Sequence, residues 1–103
     1  MFITYVTLYE YLRGILIVKK DVHEYKVLLE KSFKVLWPNN VSILIASKIW
    51  TSLRKEGQLI DERDLEIGSL CIANHIPLWT KNVKHFLRLK KYGLKLVDIA
   101  IEQ

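Results

Sequence analysis

Residues 61–86, DERDLEIGSLCIANHIPLWTKNVKHF, decide the fold, because they pass from a helix start through a buried helix to a short strand and its polar end. Asp61 is placed to cap the helix and Asp64 falls in its first turn. Leu65, Ile67, Gly68, Leu70, Cys71, Ile72 and Ala73 then make it apolar or small almost all round, as expected of a helix packed on a sheet. The helix runs out near Asn74 and His75. Pro77, Leu78 and Trp79 read as a short buried strand, with Thr80, Lys81 and Asn82 at its carboxyl end, where open α/β sheets place their ligands. A carboxylate and an amide are thus directed toward one edge.

Working outward, Phe2 to Val6 is a β-rich run and predicts a strand. Thr7 and Glu10 match a capping box that would put Glu10 in the first turn of a helix, with Leu8, Tyr11, Leu12, Ile15 and Leu16 on its apolar face. A second helix is predicted from Asp21. Phe33 to Trp37 predicts another short strand, and Pro38-Asn39-Asn40 is a turn able to cap the next helix. In that long helix Val41, Ile45, Ile49 and Leu53 form a stripe expected to pack on the sheet, and Gly57 supplies the stop. After the central stretch, Val83 to Lys91 makes a basic amphipathic turn or helix, Gly93 breaks it, and Leu94, Leu96, Val97 and Ile99 predict a last strand. Strands alternating with helices predict an α/β fold with a mostly parallel sheet. No repeat or interior boundary interrupts residues 1–103, so one domain is expected.

Half of the 103 residues are hydrophobic and there are only four glycines and two prolines, a balance that excludes a disordered chain. Sixteen Lys and Arg against eleven acids leave a formal charge of +5, which permits a polyanionic partner without demanding one. The single Cys71 excludes an internal disulfide and reads as a buried thiol of a cytoplasmic chain. Met1 to Val18 is apolar, but Glu10 and Arg13 interrupt it and no cleavage pattern follows, so no membrane segment is expected. His23, His75 and His85 lack the spacing and cysteine partners of a zinc site, and a structural or solvent role is expected for them. Trp37, Trp50 and Trp79 lie in apolar runs and are expected in the core. No Gly-rich phosphate loop or Ser-His-Asp or Cys-His pattern is present.

Asp64, Leu65, Ile67, Gly68 and Ser69, then Ala73-Asn74, then Leu78, Thr80, Asn82 and Phe86, resemble the C-terminal half of a PIN domain, the metal-dependent nuclease fold of VapC-type toxins. TLYEYLRGI, Thr7 to Ile15, is similar to the family's Thr-x-x-Glu-Leu-x-x-Gly helix, with Glu10 at the acidic position. The resemblance implies a three-layer, PIN-like (Rossmann-like) domain whose short, mostly parallel sheet is flanked by helices. The family's first strand and its catalytic Asp have no counterpart here, so the resemblance implies an N-terminally truncated form.

That resemblance also implies an endoribonuclease in which Glu10 and Asp64 hold Mg²⁺ or Mn²⁺, Asn82 orients a water or phosphate, and Thr80 positions the strand end or a water. Two formal negatives predict weak metal binding and low or no activity. Arg13, Lys81 and Lys84, with Arg88, Lys90 and Lys91, would meet an RNA backbone by charge attraction. Helix capping is the alternative account of Glu10 and Asp64, a turn role that of Asn82, and a solvated face that of the basic residues. The alternative function is a degenerate, non-catalytic module that dimerises or binds an antitoxin-like protein or RNA. A homodimer, or direct pairing of the Phe2 and Leu78 strands, is expected because unpaired strand edges recruit partners.

Overall fold

The computed structural model describes residues 1–99, which hold five α-helices, four three-residue strands and one 3-10 helix. The chain forms two compact units, Met1–Pro38 and a second that begins at Asn39. No described helix is long and apolar enough to cross a membrane.

In the first unit β1 (Phe2–Thr4) leads directly into α1 (Tyr5–Ile17), and α2 (Val22–Ser32) returns the chain to β2 (Lys34–Leu36). β1 and β2 are parallel, with Phe2 opposite Lys34 and Thr4 opposite Leu36. The expected Phe2–Val6 strand is therefore shorter than its composition suggested. Thr4, in extended conformation, caps α1 by accepting from the Thr7 amide at 3.3 Å. Thr7 was the expected cap, but it lies inside the helix and no Thr7–Glu10 capping box forms. The second helix follows Asp21, as expected, and Asp21 caps it, its Oδ1 accepting from the amides of His23 and Glu24. Val6, Leu8, Ile15 and Leu36 are the buried apolar residues of this unit.

The second unit begins with α3 (Asn40–Lys55), which Asn39 starts through a reciprocal box: Ser42 N donates to Asn39 Oδ1 and Asn39 N donates to Ser42 Oγ, both at 2.9 Å. Gly57, at φ +72°, ends it in the left-handed region where glycine carries no Cβ penalty. α4 (Glu62–Ala73) buries every residue from Asp64 to Cys71 except Glu66. α3 packs chiefly on α4, where the stripe was expected to meet the sheet, and its buried residues are Ser42, Ile49 and Leu53 while Val41 faces solvent. β3 (Leu78–Thr80), α5 (Val83–Phe86), a 3-10 helix (Leu87–Tyr92) and β4 (Leu96–Asp98) complete the unit, with β3 and β4 parallel.

Parallel pairing was expected and is found, in two separate ladders. β1 takes β2 as its partner and β3 takes β4, so the alternative of a Phe2–Leu78 pairing is replaced. The tryptophans also correct the sequence reading: Trp37, Trp50 and Trp79 are 53%, 40% and 61% exposed. For Trp79 the reason is the strand's alternation, since only Leu78 and Thr80 turn toward the covered side of this two-stranded ladder.

The 3-10 helix approaches α4 so closely that a methyl on Gly68 would collide with Leu89 Cδ1, in a side chain with no exposed surface. Gly68→Ala gains about 1 kcal/mol of helix propensity but overpacks this contact by about 1–3 kcal/mol. We expect a lower Tm, measured by circular dichroism. Burial pushes the Cys71 thiol up to about 11, so native protein at pH 8 should resist iodoacetamide and become modified only in denaturant, as read by mass spectrometry.

Candidate functional site

Asp61 ends the linker from α3 with extended backbone, and its Oδ1 accepts from Arg63 N at 2.8 Å, which fixes the start of α4. One turn on, Asp64 is only 7% exposed. Capping does not occupy its carboxylate. Oδ1 lies 3.5 Å from Arg63 Nη1, and Oδ2 lies 3.9 Å from His85 Nδ1 on α5.

Arg63, together with His85 when it is protonated, would lower a carboxylate's pKa in water, yet the Asp64 value is raised. Burial removes the solvation of the charged form and is the largest cause, with the Asp61 charge adding to it; His85, Arg63 and Arg88 pull the other way without prevailing. A largely buried carboxylate flanked by basic side chains is an uncommon use of charge on a small domain and marks a functional candidate.

Around it lies a cavity of about 360 Å³ lined by Asp61, Arg63, Asp64, Lys84, His85 and Arg88 over Ile60. The β3–α5 turn aims the two α5 residues. Thr80, at the end of β3, accepts from Asn82 N through Oγ1 at 2.9 Å, and the Asn82 carbonyl accepts from His85 N at 3.0 Å. Thr80 thus ties the strand end to the turn that follows it. Asn82 precedes α5 without a side-chain cap bond, and neither it nor Lys81 lines the cavity. Arg88 is held by donating from Nη1 to the Leu59 carbonyl.

Glu10 and Arg13 lie in the first unit. Because α1 starts at Tyr5, Glu10 is in its second turn and capping does not account for it. Its carboxylate is 3.7 Å from Arg13, whose guanidinium also covers the Tyr9 ring at 4.7 Å. Of the sequence candidates, Asp64 and Lys84 share the cavity and Thr80 and Asn82 share the adjoining turn. Arg63 and His85 were not anticipated there. Lys84 and Arg88, four residues apart on the basic amphipathic segment, were a signal for one basic face, whereas nothing local announced His85.

Among the described residues no three His, Cys, Asp or Glu side chains gather around one point. Mg²⁺ keeps several waters and is held through one or two carboxylates together with substrate phosphates. Asp64 with Asp61 fits a cation held jointly with a substrate phosphate, and does not fit one enclosed by protein alone. Lys84, Arg63 and Arg88 meanwhile suit a phosphodiester, whose charge they offset.

No protein-family model matches the chain. It is 40% identical over 96 residues to ribonuclease VapC1 of Methanocaldococcus jannaschii, spanning 93% of this chain and 69% of that protein. Its structure is similar to VapBC-1 from nontypeable Haemophilus influenzae, with a TM-score of 0.79 and 28% identity over 92% of this chain and 71% of that one. VapBC2 from Rickettsia felis, bound to a promoter DNA fragment, gives a TM-score of 0.75 and 26% identity over 94% and 73% of the respective chains.

The raised Asp64 pKa fixes the sign of a pH effect. The folded carboxyl keeps its proton above the ordinary value of 3.8, so its contribution to stability is full below that value and is lost as pH rises through the folded pKa. Asp64→Asn, which carries no charge to desolvate, should therefore gain on wild type as pH rises from 3 to 7. Urea unfolding at a series of pH values measures the difference; a widening deficit for the variant would show that the Arg63 and His85 contacts outweigh desolvation.

Proposed function

Since this chain belongs to the VapC family of PIN-domain ribonucleases, we propose that it is a metal-dependent endoribonuclease of the toxin–antitoxin type whose chemistry centres on Asp64. The observation that carries this reading is one buried carboxylate in a cavity otherwise furnished with phosphate-binding cations. Both units act as one PIN-like domain of a cytoplasmic protein in this proposal. Glu10 and Asp64 are its acidic residues, and a protein antitoxin is its partner.

The reaction is hydrolysis of an RNA phosphodiester: a water oxygen forms a bond to phosphorus, the bond to the leaving ribose oxygen breaks, and that oxygen takes up a proton. Lys84 and Arg88 hold the phosphate, and Arg63 offsets its charge. Asp64 orients the water and accepts its proton, a task suited to a carboxylate whose pKa burial has moved toward neutrality. When bound, Mg²⁺ or Mn²⁺ supplies charge neutralisation at the phosphate and acidifies water. Thr80 and Asn82 hold the turn that presents Lys84 and His85, with Lys81 and Arg13 as outlying contacts to the RNA backbone. Because divalent affinity follows ligand charge and the cavity offers few acids, metal binding is weak and turnover low.

The second reading, a module that binds antitoxin or RNA without cleaving, is favoured by the absence of a three-residue metal cluster among the described residues. A Mn²⁺-titrated RNA cleavage assay separates the two. Cleavage should require metal and fall at least about 100-fold in Asp64→Asn, the lower range for losing a positioned acid–base group. No metal-dependent cleavage by wild type, or cleavage unchanged in the variant, would leave the binding module. In parallel, Lys84→Ala should weaken RNA binding and make its log–log salt slope shallower by about 0.7, the release expected for one single-strand phosphate contact.

A further inference from the structure

Both strands of the first unit run directly into an aromatic residue. Tyr5 follows Thr4, the last residue of β1, and Trp37 follows Leu36, the last residue of β2. The ladder is parallel and sets Thr4 opposite Leu36, so both aromatic residues stand at its carboxyl edge. Their ring centroids are 6.1 Å apart and their planes only 20° from parallel, an offset stack. Pro38 disfavours helical backbone at Trp37 and so limits where that ring can go. Even so, Trp37 remains 53% exposed. A wide, flat apolar surface is thus held in water at the edge where open α/β sheets place their ligands.

A flat surface suits a flat ligand. Nucleobases stack on aromatic side chains whatever their sequence, and a ring already held by a second ring loses little freedom in receiving one. Residues 1–38 carry six Lys and Arg against four acids, a balance that attracts the phosphates of the same strand. Near-parallel stacking and positive charge together favour a base over a protein side chain, which meets an indole as readily by its edge. We propose that the Tyr5–Trp37 stack is a base-binding subsite, on which one unpaired base of single-stranded RNA lies against Trp37. This subsite rests on the reading of RNA as the substrate and adds a base contact to it, whereas the Asp64 cavity offers cations for phosphate. Because a stack reads the face of a base and leaves its hydrogen-bonding edge unread, it selects unpaired over paired strands and does not select one base over another.

The test uses the full chain carrying Trp50→Phe and Trp79→Phe, so that emission reports Trp37, with EDTA present so that binding is measured without cleavage. Circular dichroism confirms folding. A short single-stranded RNA should quench that emission. An abasic strand of equal length, which keeps every phosphate, should quench little and bind at least about tenfold more weakly, the equivalent of 1.4 kcal/mol. Trp37→Ala should weaken RNA binding by about tenfold while leaving the abasic strand and the salt slope unchanged, since no phosphate contact is lost; Trp37→Phe should restore most of the loss. Should Trp37→Ala misfold, the comparison of the two strands still decides. An RNA that does not quench, equal quenching and binding by both strands, or a Trp37→Ala loss shared by the abasic strand would overturn the proposal. So would RNA binding untouched by that substitution with binding to an antitoxin peptide lost instead. Metal-dependent cleavage that depends on Asp64 in a protein showing no base contact at Trp37 would sink this subsite alone. Base-dependent quenching without such cleavage would sink the ribonuclease and support the subsite.

Discussion

The burial of α4 is the constraint on which the second unit depends. A twelve-residue helix buried from Asp64 to Cys71 at all but one position needs neighbours on several sides, and α3 and α5 supply them. Gly68 lets the 3-10 helix come closer than any side chain would allow, which places Leu89 fully inside. At Ser69 the packing leaves Oγ buried with no hydrogen-bond partner among the described residues. Such a hydroxyl is a local loss of about 1–3 kcal/mol, tolerated because the surrounding apolar contacts exceed it.

The same burial makes the candidate site. Asp64 stands one turn into a helix packed on several sides, so its carboxylate loses part of its solvation to packing done for other reasons. Asp61, Arg63, His85 and Arg88 then act on it at short range with little screening. In solution these opposing charges would leave a near-ordinary carboxylate. Inside this fold desolvation prevails, and a group suited to binding a cation or moving a proton results. Further contacts brace the wall: Lys91 reaches Glu56 at 2.7 Å and Tyr92 meets Ser52 at 2.8 Å, tying the 3-10 helix to the end of α3. Both are partly exposed, so their value lies in orientation more than in stability.

α3 joins two surfaces of different character. Its inner side completes the packing of α4, and its outer side keeps apolar residues in water. The chain's net charge of +5 is unevenly placed. Cations gather beside Asp64, whereas the outer face of α3 is bordered by both signs.

The chain's local chemistry determined the order of elements, the caps at Asp21, Asn39 and Asp61, the stop at Gly57 and the all-round burial of α4, because each is settled by residues within a few positions. The family resemblance was legible for the same reason, since its residues are spaced along single elements. Where two local signals competed, tertiary structure decided. Thr4 and Thr7 both offered caps, and the β1–β2 ladder, ending with Thr4 opposite Leu36, gave the cap to Thr4 and moved Glu10 into the second turn. Exposure of the three tryptophans followed from which faces found a covering element, which an apolar run cannot encode by itself. His85, twenty-one residues beyond Asp64, reached that carboxylate only because α5 packs on α4; the proximity is a product of folding and has no local signature.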